Sequence, residues 1–152
     1  MAVSATHTGW RYDANNSRLD FYYRGTRVGN ISANGDLALT SGTLDVEDGG
    51  TVTQASNKST GVTLSTNSGQ ITMNGAALAD DTEISFVVTN TNVAATDVVI
   101  VNHGSAGTMG AYVVQASNIG AGTFEISVKN VSGGALSEAI VINFVVIKGA
   151  SS

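Results

Sequence analysis

This sequence predicts an all-β chain: an antiparallel β-sandwich, jelly-roll-like, preceded by an N-terminal β-hairpin or extended arm. Short runs rich in Val, Ile and Thr alternate between apolar and polar residues, and recur at roughly the 8–12-residue spacing typical of sandwiches. No stretch of helix length carries a helical period, and Ala76-Ala77-Leu78-Ala79 is at most one turn. Of the 152 residues, 42% are hydrophobic and only 12% charged. That balance fits a folded β core under neutral, hydroxyl-rich loops, because disordered chains lack the Val and Ile.

Two segments are expected, residues 1–48 as an arm or hairpin and residues 49–152 as the sandwich, with Gly49-Gly50 read as a hinge or a strand-connecting turn. In the first, Arg18-Leu19-Asp20-Phe21-Tyr22-Tyr23 and Thr26-Arg27-Val28-Gly29-Asn30-Ile31 flank Arg24-Gly25, a hairpin pattern that sets Leu19, Phe21 and Tyr23 on one face. Asn34-Gly35 marks a second turn before a short strand, Asp36-Leu37-Ala38-Leu39. With so few apolar residues, this segment is expected to lie on its own sandwich or on a neighbouring subunit.

In the second segment, strands are expected near 51–55, 61–65, 69–73, 83–90, 97–103, 111–117, 122–130 and 138–148. Ile84, Phe86 and Val88 share a face, as do Phe124, Ile126 and Val128, which leaves Glu125, Ser127 and Lys129 toward solvent. The last strand is apolar on both sides. Ile140, Ile142, Phe144 and Val146 can fill the core, and Val141, Val145 and Ile147 then fall on the outer side. Val98, Val99, Ile100 and Val101 show the same two-sided character. An antiparallel sheet normally presents a polar outer face, so this one is expected to be covered, either by the N-terminal segment or by another subunit. Gln54-Ala55-Ser56-Asn57 recurs as Gln115-Ala116-Ser117-Asn118, each copy expected to end a strand and enter a turn; chance and an internal duplication both account for it.

Charge and residue usage narrow the function. A net charge of −5 argues against nonspecific nucleic-acid binding. The absence of cysteine excludes disulfides and thiolate chemistry. The first residues show neither a basic nor an apolar stretch of signal-peptide type, and no apolar run reaches membrane-span length. Neither a membrane nor a nucleic-acid partner is therefore expected. His7 and His103 are the only histidines, too few for a His-rich metal site within one chain. Asp45-Val46-Glu47-Asp48 and Asp80-Asp81-Thr82-Glu83 lack the spacing of a calcium loop and read as turn residues. No nucleophile elbow, phosphate loop or dinucleotide fingerprint occurs, and the later Phe residues fall on core positions rather than lining a sugar-cleaving groove. No enzyme activity and no cofactor are expected. Trp10, Arg11, Tyr12, Arg18, Tyr22, Arg24 and Arg27 are of the types enriched at interface hot spots, and are the candidate docking residues. Val141, Val145 and Ile147 are the candidate subunit contacts.

The run Gly50-Thr51-Val52-Thr53-Gln54-Ala55-Ser56-Asn57-Lys58-Ser59-Thr60-Gly61-Val62-Thr63-Leu64 resembles a module recurrent in virion-surface proteins of tailed bacteriophages. So do Gly69-Gln70-Ile71-Thr72-Met73-Asn74, Ala95-Thr96-Asp97-Val98-Val99-Ile100-Val101-Asn102 and Leu136-Ser137-Glu138-Ala139-Ile140-Val141-Ile142-Asn143-Phe144. The resemblance implies a trimeric β-sandwich without enzymatic role, found in capsid decoration (cement) proteins, head knobs and the ends of tail fibres. With only the first segment ahead of the module, a decoration protein fits better than a fibre, which needs an anchoring domain and a shaft. The expectation is a homotrimer bridging subunits of the major capsid protein, made in the host cytoplasm and carried on the capsid exterior. The alternative is a trimeric fibre or knob tip that binds host surface glycans.

Overall fold

The computed structural model describes residues 6–46 and 49–149. Among the described residues every regular element is a strand, and no helix is long and apolar enough to cross a membrane. The chain divides into two compact units, with the boundary between Asp45 and Val46.

The first unit is a four-stranded antiparallel meander: β1 (Gly9–Asp13), β2 (Arg18–Tyr23), β3 (Thr26–Ile31) and β4 (Leu37–Leu39), paired in that order. The β2–β3 hairpin turns through Arg24 and Gly25, both at positive φ (48° and 78°), the twist that a two-residue hairpin loop needs. Between β1 and β2 the Asp13 carboxylate accepts bonds from the Asn15 N–H and the Asn16 amide, holding the turn closed. Strand β1 was not expected. Its alternation spans only Trp10-Arg11-Tyr12, too short a period to stand out.

The second unit is a sandwich of two four-stranded sheets. Its strands are β5 (Thr51–Thr53), β6 (Val62–Thr63), β7 (Ser68–Thr72), β8 (Glu83–Thr89), β9 (Val98–Ser105), β10 (Tyr112–Gly120), β11 (Thr123–Asn130) and β12 (Val141–Ile147). One sheet has the order β10-β11-β8-β6, the other β5-β7-β12-β9. The eight expected strands are all present. Their inner pairings are antiparallel, whereas β5 joins β7 and β6 joins β8 in parallel. From β5 to β8 the chain alternates between sheets, so each parallel pair is linked by a crossover through the opposite layer, as parallel pairing requires. The jelly-roll-like connectivity is not confirmed. Gly50 is packed rather than a free hinge: a Cβ there would meet the Leu64 side chain at 2.8 Å, and its carbonyl accepts from the Gln70 N–H at 2.8 Å.

Alternation places Phe86, Val88, Phe124, Ile126 and Val128 of one sheet against Ile71, Val99, Ile142, Phe144 and Val146 of the other, all buried. Phe124 and Phe144 meet across the layers with centroids 5.6 Å apart, a tilted aromatic contact that adds to the area buried. On the outer side of β11, Glu125 and Lys129 are half-buried and Ser127 is buried, flanked in register by Gln115 and Ser85, so the central strand is less exposed than expected.

Loops are tied to the sheets by buried neutral amides. Asn130, fully buried, donates to the Leu78 and Gly134 carbonyls at 2.8 Å and accepts from the Ser132 N–H. Asn90 does the same for the loops around Thr66 and Asn92. Gln54 binds the Lys58 and Thr60 carbonyls and the Asn74 N–H. The two Gln-Ala-Ser-Asn copies are therefore not equivalent: Gln54 organises a loop, whereas Gln115 lies exposed within β10. Past the end of β12, Asp97 accepts from the Lys148 ammonium and from the Ala94 and Gly149 N–H groups. These donors, the ammonium foremost, pull its carboxyl down to about 2.

Two predictions follow from these ties. Asn130→Ala removes a fully buried amide and its hydrogen bonds to Leu78, Gly134 and Ser132 and is expected to cost about 1–3 kcal/mol in urea unfolding, with Gln115→Ala near neutral. Asp97 is depressed below its ordinary 3.8, so its contribution is complete above about pH 4 and vanishes as pH falls toward about 2. Thermal unfolding of Asp97→Asn should lie below wild type at neutral pH, and the gap should close across that acid window.

Candidate interaction surfaces

Register divides the N-terminal sheet into two unlike faces. Cross-strand rows on one side run Trp10–Phe21–Gly29–Leu39 and Tyr12–Leu19–Ile31–Leu37, with Tyr23 completing β2. A side chain at Gly29 would strike the Ala38 carbonyl at 2.8 Å, so the middle of this face is floored by backbone. The other side carries Arg11, Arg18, Asp20, Tyr22, Arg27 and Asn30. The buried group lies on this charged side. Asp20, 2% exposed, accepts from Arg18 Nε at 2.7 Å and from the Tyr22 hydroxyl at 3.4 Å, with Arg27 at 3.6 Å. Arg18 also pairs with Asp13. The apolar side stays open: Trp10 is 69% exposed and Leu37 63%, and Tyr12, Tyr23, Ile31 and Leu39 are exposed as well.

The candidate docking residues thus fall on opposite faces. Trp10 and Tyr12 stand on the apolar side; Arg11, Arg18, Tyr22 and Arg27 stand on the charged side. Arg24 sits in the β2–β3 turn, its guanidinium 5.4 Å from the Tyr23 ring centroid, within cation–π range. Residue type alone grouped them, and only the register separates them. Leu37, Leu39 and Ile31 were missed as partners, although the turn at Asn34-Gly35 that folds β4 back is visible in the sequence.

A second uncharged surface covers the outer side of β5-β7-β12-β9. Its rows are Thr53–Thr72–Val141–Ser105, Thr51–Gln70–Asn143–Asn102, Ser68–Val145–Ile100 and Ile147–Val98. None of these side chains ionises. The outer face of the opposite sheet, by contrast, bears Glu83, Glu125 and Lys129. Val145 and Ile147 join Val98 and Ile100 in one apolar patch, with Ile147, Val98 and Ile100 each about half exposed. Val141 stands apart, separated from the patch by the Asn143 row. Gln70 donates to Asn143 at 3.1 Å, and a shallow groove of about 470 Å³ lies over Gly49, Thr51, Ser68, Gln70 and Asn143.

Several titratable groups elsewhere are held in structural bonds. Glu138 accepts from the Thr108 N–H (2.9 Å), the Thr108 hydroxyl (2.7 Å) and the Tyr112 hydroxyl (3.0 Å). Those bonds hold its carboxyl below the usual range, while burial and that same carboxylate push Tyr112 up to about 12. Lys58, buried and with its pKa lowered by desolvation, donates to the Asn74 and Glu138 carbonyls. His103 packs edge-on against Tyr112 and its Nε2 lies 2.6 Å from the Ala106 carbonyl. Asp81 pairs with Lys129 and Asp80 accepts from the Gly133 N–H, so that acidic pair shapes a turn. In the other acidic pair, Glu47 and Asp48 lie outside the described residues. Among the described residues no cluster of His, Asp or Glu could hold a metal ion. Comparison with family models, with curated proteins and with solved structures returned no match for this chain.

Proposed function

We propose that this chain is a non-catalytic structural protein of a virion surface, a homotrimer that decorates a phage capsid and bridges subunits of the major capsid protein from its exterior. One observation carries the reading: an entire outer sheet face without an ionisable side chain, ending in Val98, Ile100, Val145 and Ile147. The apolar patch at its end is costly to leave in water, and burying it against copies of itself requires no charge to be desolvated. The resemblance of the second unit to phage surface modules supports the same assignment. Glu138, Lys58 and Asp97, each engaged by backbone, hydroxyl or ion-pair partners, support a role without catalysis. A trimer suits bridging because three weak contacts act together.

The alternative is a fibre or knob tip binding host glycans. It draws on the Thr51–Gln70–Asn143 groove, whose neutral donors and acceptors suit sugar hydroxyls. Copy number separates the two readings: a decoration protein is present in proportion to the coat protein, a fibre tip in a handful of copies.

Sedimentation at micromolar concentration should give three times the 15.4 kDa chain mass. Ile147→Asp or Ile100→Asp, at positions already exposed within one chain, should release monomer, because an unpaired carboxylate would be buried on assembly. Val145→Asp should act likewise, whereas Lys129→Ala on the opposite sheet should leave the mass unchanged. A wild-type monomer, or aspartate variants that still form trimers, would remove this face from assembly.

A further inference from the structure

The N-terminal sheet breaks the usual arrangement of a single layer. Its buried side is the charged one, closed over Asp20 by Arg18 and Arg27, and its open side is aromatic and aliphatic. A large side chain offers up to about 200 Å² when fully exposed. With exposures from 38% at Ile31 to 69% at Trp10, Trp10, Tyr12, Tyr23, Ile31, Leu37 and Leu39 together present on the order of 700 Å². That approaches the roughly 800 Å² that each partner contributes to a stable interface.

We infer that this face docks onto an uncharged, apolar protein surface that carries a carboxylate at its rim, which Arg24 meets. Three arguments identify the occupant. The face has no ionisable side chain other than tyrosine, so a charged surface laid on it would lose hydration without gaining a partner. Arg24 lies at the rim against Tyr23 and has no carboxylate partner among the described residues. A second copy laid face to face would bring no carboxylate on the matching face to meet Arg24. Under the decoration reading, on which this inference rests, the occupant is the coat lattice. Docking is then driven by apolar burial, with Arg24 setting register, and the arginines of the opposite face take no part.

The test is co-sedimentation of the full-length protein with shells assembled from the major capsid protein, at about 0.1 M and about 1 M salt. Wild type should bind at both concentrations with less than a threefold change. Trp10→Ala with Leu37→Ser should weaken binding at least tenfold at either salt, and Tyr12→Ser with Leu39→Ser should repeat that loss. Unchanged circular dichroism shows that each variant is folded. Arg24→Glu should weaken binding mainly at low salt, and Gln115→Ala should bind as wild type. Wild-type occupancy by the double variants overturns the inference and leaves the decoration reading standing. Wild-type binding that collapses more than tenfold at high salt overturns it in favour of the charged face. A change of oligomeric mass in the double variants shows that the face pairs with itself, and also overturns it. Failure of wild type to bind the shells at all overturns the decoration reading and this inference with it.

Discussion

A strand points successive side chains to opposite faces, and a chain with two faces per sheet must find something to lie against each apolar one. That constraint organises this molecule. In the sandwich, two layers bury each other: Phe124 and Phe144 meet between them, with Ile71, Ile126 and Ile142 fully enclosed around that contact. In the N-terminal unit there is one layer only. Its charged face closes on itself through Asp20, and its apolar face is left with nothing from its own four strands to cover it.

The same constraint explains the composition. Loops that close a sandwich must satisfy their carbonyls and N–H groups away from water. Here Gln54, Asn90 and Asn130 do this with neutral amides, each donating to loop carbonyls and accepting from a loop N–H. A neutral amide is far cheaper to bury than a charge. Charged exceptions are the Asp97–Lys148 and Asp81–Lys129 pairs, the buried Lys58 that donates to the Asn74 and Glu138 carbonyls, and Glu138 that accepts from Thr108.

Much of the fold was legible in the alternation. Phe124, Ile126 and Val128, or Ile140, Ile142, Phe144 and Val146, mark core faces wherever the period is sustained. Strand β1 escaped because its alternation is three residues long. The parallel edges escaped because strand order depends on contacts between distant segments, on which local periodicity is silent. The candidate surfaces were half legible. The two-sided character of β9 and β12 is written in Val98–Val101 and Val141–Ile147, and the outer patch follows from it. The docking set was drawn by residue type, and type does not reveal side. Trp10 and Arg11 are neighbours in sequence and opposites in space.

On the proposed reading, one uncharged face meets copies of the chain and another meets a foreign surface. The second face is the central claim, and Trp10, the sole tryptophan, stands on it as a natural probe. Acrylamide quenching of its fluorescence in the full-length protein, followed across a dilution series, tests that claim most directly. Emission typical of solvent-exposed indole, quenched almost as strongly as free tryptophan at every concentration, is the predicted result. Blue-shifted emission that resists quenching in the free protein would show that the face is already covered, and would contradict the account.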